Sequence, residues 1–134
     1  MMSKKCKYAI KALTCLARSE GAKLNSIEIS KQENIPKKFL ENILLTLKLQ
    51  GYISSKLGKN GGYFLIKEAE NISIAEIFRL FDGAIALLSC VSERFYQACD
   101  DCLEPETCKI KETFTEFRIN TLELMKNKTI HDLI

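Results

Sequence analysis

Apolar residues recur at helical spacing near the start of the chain. Ala9, Ala12, Leu13, Leu16 and Ala17 predict a helix over Lys4–Arg18, with Gly21 as its stop. Asn25 followed by Glu28 has the form of an N-cap with its capping-box partner and predicts a short helix through about Glu33. Asn34 tolerates the left-handed backbone of a tight helix–helix turn. Pro36 suits the first turn of a third helix, Pro36–Leu49, whose buried face is Leu40, Ile43, Leu44 and Leu47. After Gly51 the period changes. Tyr52–Lys56 and Tyr63–Ile66 are short strand candidates, and Asn60-Gly61 between them predicts a hairpin turn, since both residues accept positive φ. Ser73 with Glu76 predicts a capped helix over Ser73–Phe81, ended by Asp82 and Gly83.

Residues 84–106 lack a period. A long helix is expected from about Pro105 to Asn127. Ile110, Phe114, Phe117 and Leu124 form one seam, with Thr121 filling it, and Ile119, Leu122 and Met125 mark further apolar faces. A helix apolar on more than one side needs more cover than its own small domain supplies, which predicts a dimer helix. Thr129 capping toward Asp132 closes the chain with a turn. The expected fold is mainly α with a small β-hairpin. It divides into a winged helix-turn-helix at 1–83, a cysteine-rich loop at 84–106, and a dimerisation helix with its terminal turn at 107–134.

Composition narrows the classes. At 46% apolar the chain can build a core. Its longest uncharged stretch, Gly83–Ser92, is half of what a membrane span needs. There is no signal-peptide core, so the expected setting is the cytoplasm, without a membrane partner; the Asn71 and Asn127 sequons are then chance matches. The net charge of +3 hides an asymmetry: residues 1–70 hold 13 Lys/Arg against 6 Asp/Glu, and residues 71–134 hold 7 against 11. A basic first half suits a polyanion.

The basic residues fall where a winged helix touches DNA. Lys37, Lys38, Glu41 and Asn42 lie opposite the leucines at the start of the third helix, which can enter the major groove. Asn42 can read adenine, and Glu41 can accept from cytosine. Lys56, Lys59 and Asn60 stand at the hairpin tip, and Lys4, Lys5 and Lys7 can touch the phosphate backbone. The expected partner is double-stranded DNA. A winged helix used only for protein contact is the rival, and it would lack salt-dependent DNA affinity.

With Lys7-Tyr8-Ala9-Ile10, Ile35-Pro36-Lys37-Lys38-Phe39-Leu40-Glu41, Gly51-Tyr52-Ile53-Ser54-Ser55, Gly58-Lys59-Asn60-Gly61-Gly62-Tyr63, Ile74-Ala75-Glu76-Ile77 and the closing Thr129–Ile134, the chain resembles the Rrf-two (Rrf2) family of bacterial transcriptional regulators, which includes IscR, NsrR and CymR. The resemblance covers essentially the whole chain. It implies a homodimer on a pseudo-palindromic operator, with the long helix crossing the partner, and a repressor sensing iron–sulfur, redox, nitric-oxide or sulfur status.

Four of the six cysteines, Cys90, Cys99, Cys102 and Cys108, lie in one short window. Thiolates are soft ligands for iron–sulfur clusters or zinc. The family resemblance implies three cysteine ligands with five residues between the last two, which Cys102 and Cys108 fit, with Cys90 as the first. Of the two places where relatives carry a fourth ligand, one is Lys111 here, and the other is the first helix, where Cys6 is the candidate beside Cys99. The readings left open are a 2Fe-2S or 4Fe-4S cluster, zinc, and a metal-free regulator of sulfur metabolism that answers to thiol oxidation or a partner protein; the cysteines being inert is the plain alternative. Cys15 reads as a small buried hydrophobe. A thiol–disulfide enzyme built on Cys99 and Cys102 is disfavoured, because Asp100 and Asp101 oppose a reactive thiolate. His131, the single histidine, reads as solvated or capping, and no other catalytic motif is present, so no enzyme is expected.

Overall fold

The Ser3 hydroxyl accepts from the Cys6 N–H (3.1 Å) and caps α1 (Lys4–Arg18) in a computed structural model that describes all 134 residues. The Ser3 N–H and hydroxyl both donate to Asp82, which ties the chain's start to the end of α4 (Ile74–Phe81). α1 buries Cys6, Ala9, Ala12, Leu13, Cys15 and Leu16. α2 (Ser26–Glu33) opens with the expected capping box: Asn25 accepts from the Glu28 N–H (2.9 Å), and Glu28 accepts from the Asn25 N–H (2.7 Å). Asn34 is left-handed (φ 52°, ψ 54°), as the turn into α3 (Lys37–Leu49) requires. Pro36 stands one place earlier than expected, as the N-cap, and offers no side-chain acceptor there. Leu40, Ile43, Leu44 and Leu47 are fully buried.

β1 (Ile53–Lys56) and β2 (Gly62–Leu65) pair antiparallel, with Ile53 opposite Leu65 and Lys56 opposite Gly62. The turn chemistry differs from expectation. Positive φ occurs at Gly58 (109°) and Gly62 (138°), not at Asn60 or Gly61. The strands are joined by Leu57–Gly61, closed by the Gly61 N–H donating to the Gly58 carbonyl (3.0 Å), so the two-residue turn favoured by Asn-Gly does not form. Gly61 serves space instead: a Cβ there would fall on the Lys56 carbonyl oxygen. Leu24 bonds Tyr63 in both directions (3.0 and 2.7 Å) and gives the hairpin a third short arm.

A 3-10 turn at Ala69–Asn71 precedes α4, whose capping box is again the expected one, Ser73 with Glu76. Residues 84–107 are irregular apart from a 3-10 turn at Ser89–Val91. α5 (Lys109–Asn127) starts at Lys109 rather than Pro105, because a turn closed by Thr107 on Glu104 (3.3 Å) takes up Pro105, and Cys108 caps the helix. The chain then returns to its beginning: the Ile74 N–H donates to the Lys128 carbonyl (2.8 Å), the Ile130 N–H donates to Ile72 (2.9 Å), and Ile130 is fully buried in the same core as α1 and α3. The Thr129 N–H and hydroxyl donate to the Asp132 carboxylate (2.8 and 3.1 Å), and exposed His131 faces Glu70 (3.4 Å).

Along α5 only Leu122 is buried. Ile110, Phe117, Ile119 and Leu124 stay 47% to 69% exposed, so one copy of the chain does not cover this helix. No helix is long and apolar enough to cross a membrane.

Burial works against the Glu76 carboxylate. The Lys67 ammonium (2.7 Å) and the Ser73 N–H and hydroxyl outweigh it and hold the group below its ordinary 4.5. A lowered carboxylate pKa contributes stability above the unfolded pKa, and this is lost as pH falls through the folded one. Glu76→Gln keeps an acceptor for the capping box and removes only the charge, so it should cost about 0.2–1 kcal/mol at neutral pH, since the ion pair is more than a third exposed and screened. Urea melts should show that deficit shrinking in acid; a deficit independent of pH would rule out an ionic contribution.

Candidate nucleic-acid interface and cysteine site

The three basic groups lie on adjoining elements. Lys37, Lys38, Glu41 and Asn42 are all exposed on the first turns of α3, on the side away from its leucines. Lys37 and Glu41 make a loose, solvent-exposed ion pair (3.9 Å), which screening makes weak and easily exchanged. Because Pro36 supplies no cap, no side chain occupies the N-terminal N–H groups of α3, a position that favours anions. Tyr8 packs edge-on against Phe39 (6.3 Å), so the stretch of α1 that carries exposed Lys4, Lys5 and Lys7 runs next to the start of α3. Lys56, Lys59 and Asn60 are exposed at the hairpin tip. Lys48 donates to the Ser55 hydroxyl (2.7 Å) and ties the hairpin to the far end of α3. Lys48, and Lys23 of the α1–α2 loop above the Phe64 ring (5.7 Å), are cations beside these elements that sequence patterning did not single out, because neither belongs to a cluster of basic residues.

Cys90, Cys99, Cys102 and Cys108 line one small cavity of about 90 Å³, together with Tyr96, Ala98, Pro105 and Lys111. Three elements bring them there. Cys90 is buried within the 3-10 turn Ser89–Val91. Cys99 and Cys102 flank a turn closed by the Cys102 N–H on the Cys99 carbonyl (3.3 Å). Cys108 is the N-cap of α5, its sulfur accepting from the Lys111 N–H (3.4 Å). The Cys99 thiol is raised above its ordinary pKa chiefly by its hydrogen bond and charge interaction with Cys90, and less by Cys102 and Asp101. The neighbouring thiol therefore matters more than the aspartates.

In kind, this donor set fits an iron–sulfur cluster or zinc: four soft sulfurs around one space, one of them facing the N–H groups of a helix start, which suits a thiolate. The set is not drawn together, since no three Cys, His, Asp or Glu side chains are close enough to hold an ion. Lys111 lines the cavity as a cation and cannot ligate. Cys6 does not line it. It is fully buried in the core, its sulfur 4.0 Å from the Ile77 carbonyl, and burial together with Asp82 pushes its pKa up to about 12. Helical spacing put Cys6 on the same face as Ala9 and Leu13, which was the available sign that it is a core residue. Cys15 is likewise buried, its thiol donating to Gln32 (3.4 Å).

The Rrf2 family model, described as an iron-dependent transcriptional regulator, matches residues 2–134. An rrf2-like HTH-type transcriptional regulator of Rhodobacter capsulatus is 41% identical over 138 residues, spanning 100% of this chain and 92% of that protein. The HTH-type transcriptional regulator IscR of Klebsiella pneumoniae is 31% identical over 136 residues, spanning 98% of this chain and 83% of that protein. Among solved structures, CymR, the global cysteine regulator of B. subtilis, superposes with a TM-score of 0.80 at 25% identity, covering 99% of this chain and 95% of that one.

Alkylation separates the two kinds of cysteine. Iodoacetamide at pH 8.5 should modify Cys99, Cys102 and Cys108 in the folded chain and leave Cys6 and Cys15 intact until denaturant is added, as read by peptide mass spectrometry. Cys6 has the added barrier that a thiol titrating near 12 presents almost no thiolate at that pH. Native-state labelling of Cys6 would contradict its place in the core.

Proposed function

The chain belongs to the Rrf2 family of DNA-binding transcriptional regulators, and on that premise we propose that it is a homodimeric repressor whose operator affinity is set by the four-cysteine cavity. The observation that carries the reading is the joint lining of one cavity by Cys90, Cys99, Cys102 and Cys108 in a chain that also presents an uncapped, basic helix start.

In this reading the start of α3 enters the major groove. Lys37 and Lys38 take phosphates or guanine edges, Asn42 reads adenine and Glu41 accepts from cytosine. Lys56, Lys59 and Asn60 set the hairpin on the neighbouring backbone, and Lys4, Lys5 and Lys7 add phosphate contacts. The exposed apolar side of α5 and the groove of about 390 Å³ beside it, lined in part by Phe78, Ile85, Phe117 and Met125, support a second copy as the partner. A two-fold dimer presents two α3 helices and asks for a pseudo-palindromic site.

Cys90, Cys102 and Cys108, with Cys99 as the fourth donor, are the residues that would hold an iron–sulfur cluster. Such a group, when bound, makes the site responsive to iron, oxidants and nitric oxide. Zinc would make it a structural site. The residues themselves gather the 89–108 segment and fix its seat on α4 and α5, and so bias the spacing of the recognition helices. A metal-free reading draws on a separate observation. The similarity to a global cysteine regulator suits a regulator that answers to thiol oxidation, with Cys90 and Cys99 sharing one cavity.

Two experiments test this. Lys59→Ala should weaken binding to all duplexes alike and flatten the salt slope, whereas Asn42→Ala should cost about 1–3 kcal/mol at one base pair only; a uniform loss from Asn42→Ala would remove it from base reading. Anaerobic purification with iron, zinc and acid-labile sulfide counted per chain should find iron matched by sulfide, lost on serine replacement of Cys90, Cys102 or Cys108. A metal-free chain that still binds DNA would leave the thiol reading.

A further inference from the structure

The segment that leads out of the cysteine cavity, Ser89–Phe95, is the best-anchored part of the irregular region. Cys90, Val91 and Ser92 are buried. The Ser92 hydroxyl accepts from the Phe95 N–H (3.0 Å), the Gln97 N–H donates to the Ser89 carbonyl (3.2 Å), and the Phe95 ring lies over Gly83 at the end of α4, where a Cβ would meet it at 3.3 Å. Three residues after Cys90 stands Glu93. One of its carboxylate oxygens meets Arg118 of α5 (2.8 Å), and the other meets Arg79 of α4 (3.6 Å). The arginines are the sheltered partners: their side chains are 12% and 22% exposed, against 54% for Glu93. The Arg118 Nε is buried without a partner, so the Glu93 contact supplies the neutralising charge for a cation that has left most of its water. A second small cavity, separate from the cysteine cavity, lies around this contact, and Arg79, Arg94 and Arg118 line it with Glu93 as the one carboxylate.

We infer that Glu93 is a positioning residue that couples the cysteine cavity to the DNA-binding body, because its carboxylate joins the segment leaving Cys90 to α4 and α5 at once. This rests on the sensory reading above and adds the route by which it acts. α4 belongs to the winged helix, fastened to α1 through Asp82 and Ser3, and α5 carries the face proposed for the partner. A change that moves Cys90 draws on Glu93 within one short, largely buried segment. Letting go of Arg79 removes one tie between α4 and α5, which stay joined where Ile74 meets Lys128, and holding it fixes their angle at the end nearer the cysteine segment. The Arg79 contact at 3.6 Å is the longer of the two and the more easily exchanged, while the Arg118 contact keeps a buried charge paired.

The test breaks only the longer contact. Full-length wild type, Arg79→Gln and Arg79→Lys are each prepared as the apo chain and after anaerobic reconstitution with ferrous iron and sulfide. Kd is measured for a duplex selected from a randomised library. Where the wild type takes up no iron, the two forms compared are the reduced and the diamide-oxidised chain. A wild-type ratio between the two forms of about tenfold, within the usual range for linked sites, should fall to about twofold or less in Arg79→Gln and be largely kept in Arg79→Lys. Iron content and Tm should match the wild type, so that loss of folding or of the cysteine site does not produce the result. A wild type whose DNA affinity ignores the cysteine state overturns the sensory reading and this inference with it. A responding wild type with an equally responding Arg79→Gln overturns this inference alone.

Discussion

Cys6, Ala9, Ala12, Leu13, Cys15 and Leu16 make one buried face of α1, and the rest of the chain is assembled on it. α2, α3 and α4 all pack against this helix, as do β2 and the closing turn. The face is built from small residues, so neighbouring helices approach closely, and the leucines of α3 with Ile29, Ile72, Ile77 and Ile130 fill the space between. This explains why two thiols sit in α1 without chemistry. In a dense core Cys6 and Cys15 act as small apolar groups, and burial keeps them protonated. It also explains why the last residues matter: Ile130 closes the core that α1 opens, so α5 is held at its far end by the winged-helix body.

The same constraint separates the two halves electrically. A core that uses one face of α1 and one face of α3 leaves the opposite faces to water, and there the lysines of the first half collect. Four acidic residues of the second half act as fasteners. Glu93 bridges two arginines, Asp82 holds the start of α1, Glu76 caps α4 and takes Lys67, and Asp132 caps the terminal turn. The basic side therefore faces outward to a polyanion, while much of the acidic side is spent on fastening elements together.

The cysteine cavity is built wholly from the second half, between the 3-10 turn Ser89–Val91 and the start of α5. Cys108 is both cavity lining and the cap of α5, and Cys90 is both cavity lining and a buried anchor of the segment that runs to Glu93. A ligand or bond at these sulfurs would act at the start of α5 and on the segment that runs to Glu93.

What the sequence by itself determined is what three or four neighbouring residues decide among themselves. The capping boxes Asn25–Glu28 and Ser73–Glu76, the left-handed Asn34, the leucine face of α3 and the Thr129–Asp132 turn were all legible, because each is a hydrogen bond or a periodicity within one helical turn. The exposed lysines of α3 and of the hairpin followed from the same patterns. Tertiary structure decided the rest. Gly61 and Gly62 are needed for closeness to Lys56 and Leu24, and not for the Asn-Gly turn that their neighbourhood suggests. α5 begins at Lys109 because the Glu104–Thr107 turn takes Pro105 and leaves Cys108 to cap. Cys99 shares a cavity with Cys90 and Cys108 as well as Cys102, Cys6 is withdrawn from the set, and Glu93 finds Arg79 and Arg118. Gly62 with Leu24, Cys6 with Ile77, and Glu93 with its arginines join residues far apart in the chain, and side-chain spacing carries no information about partners that only packing brings together.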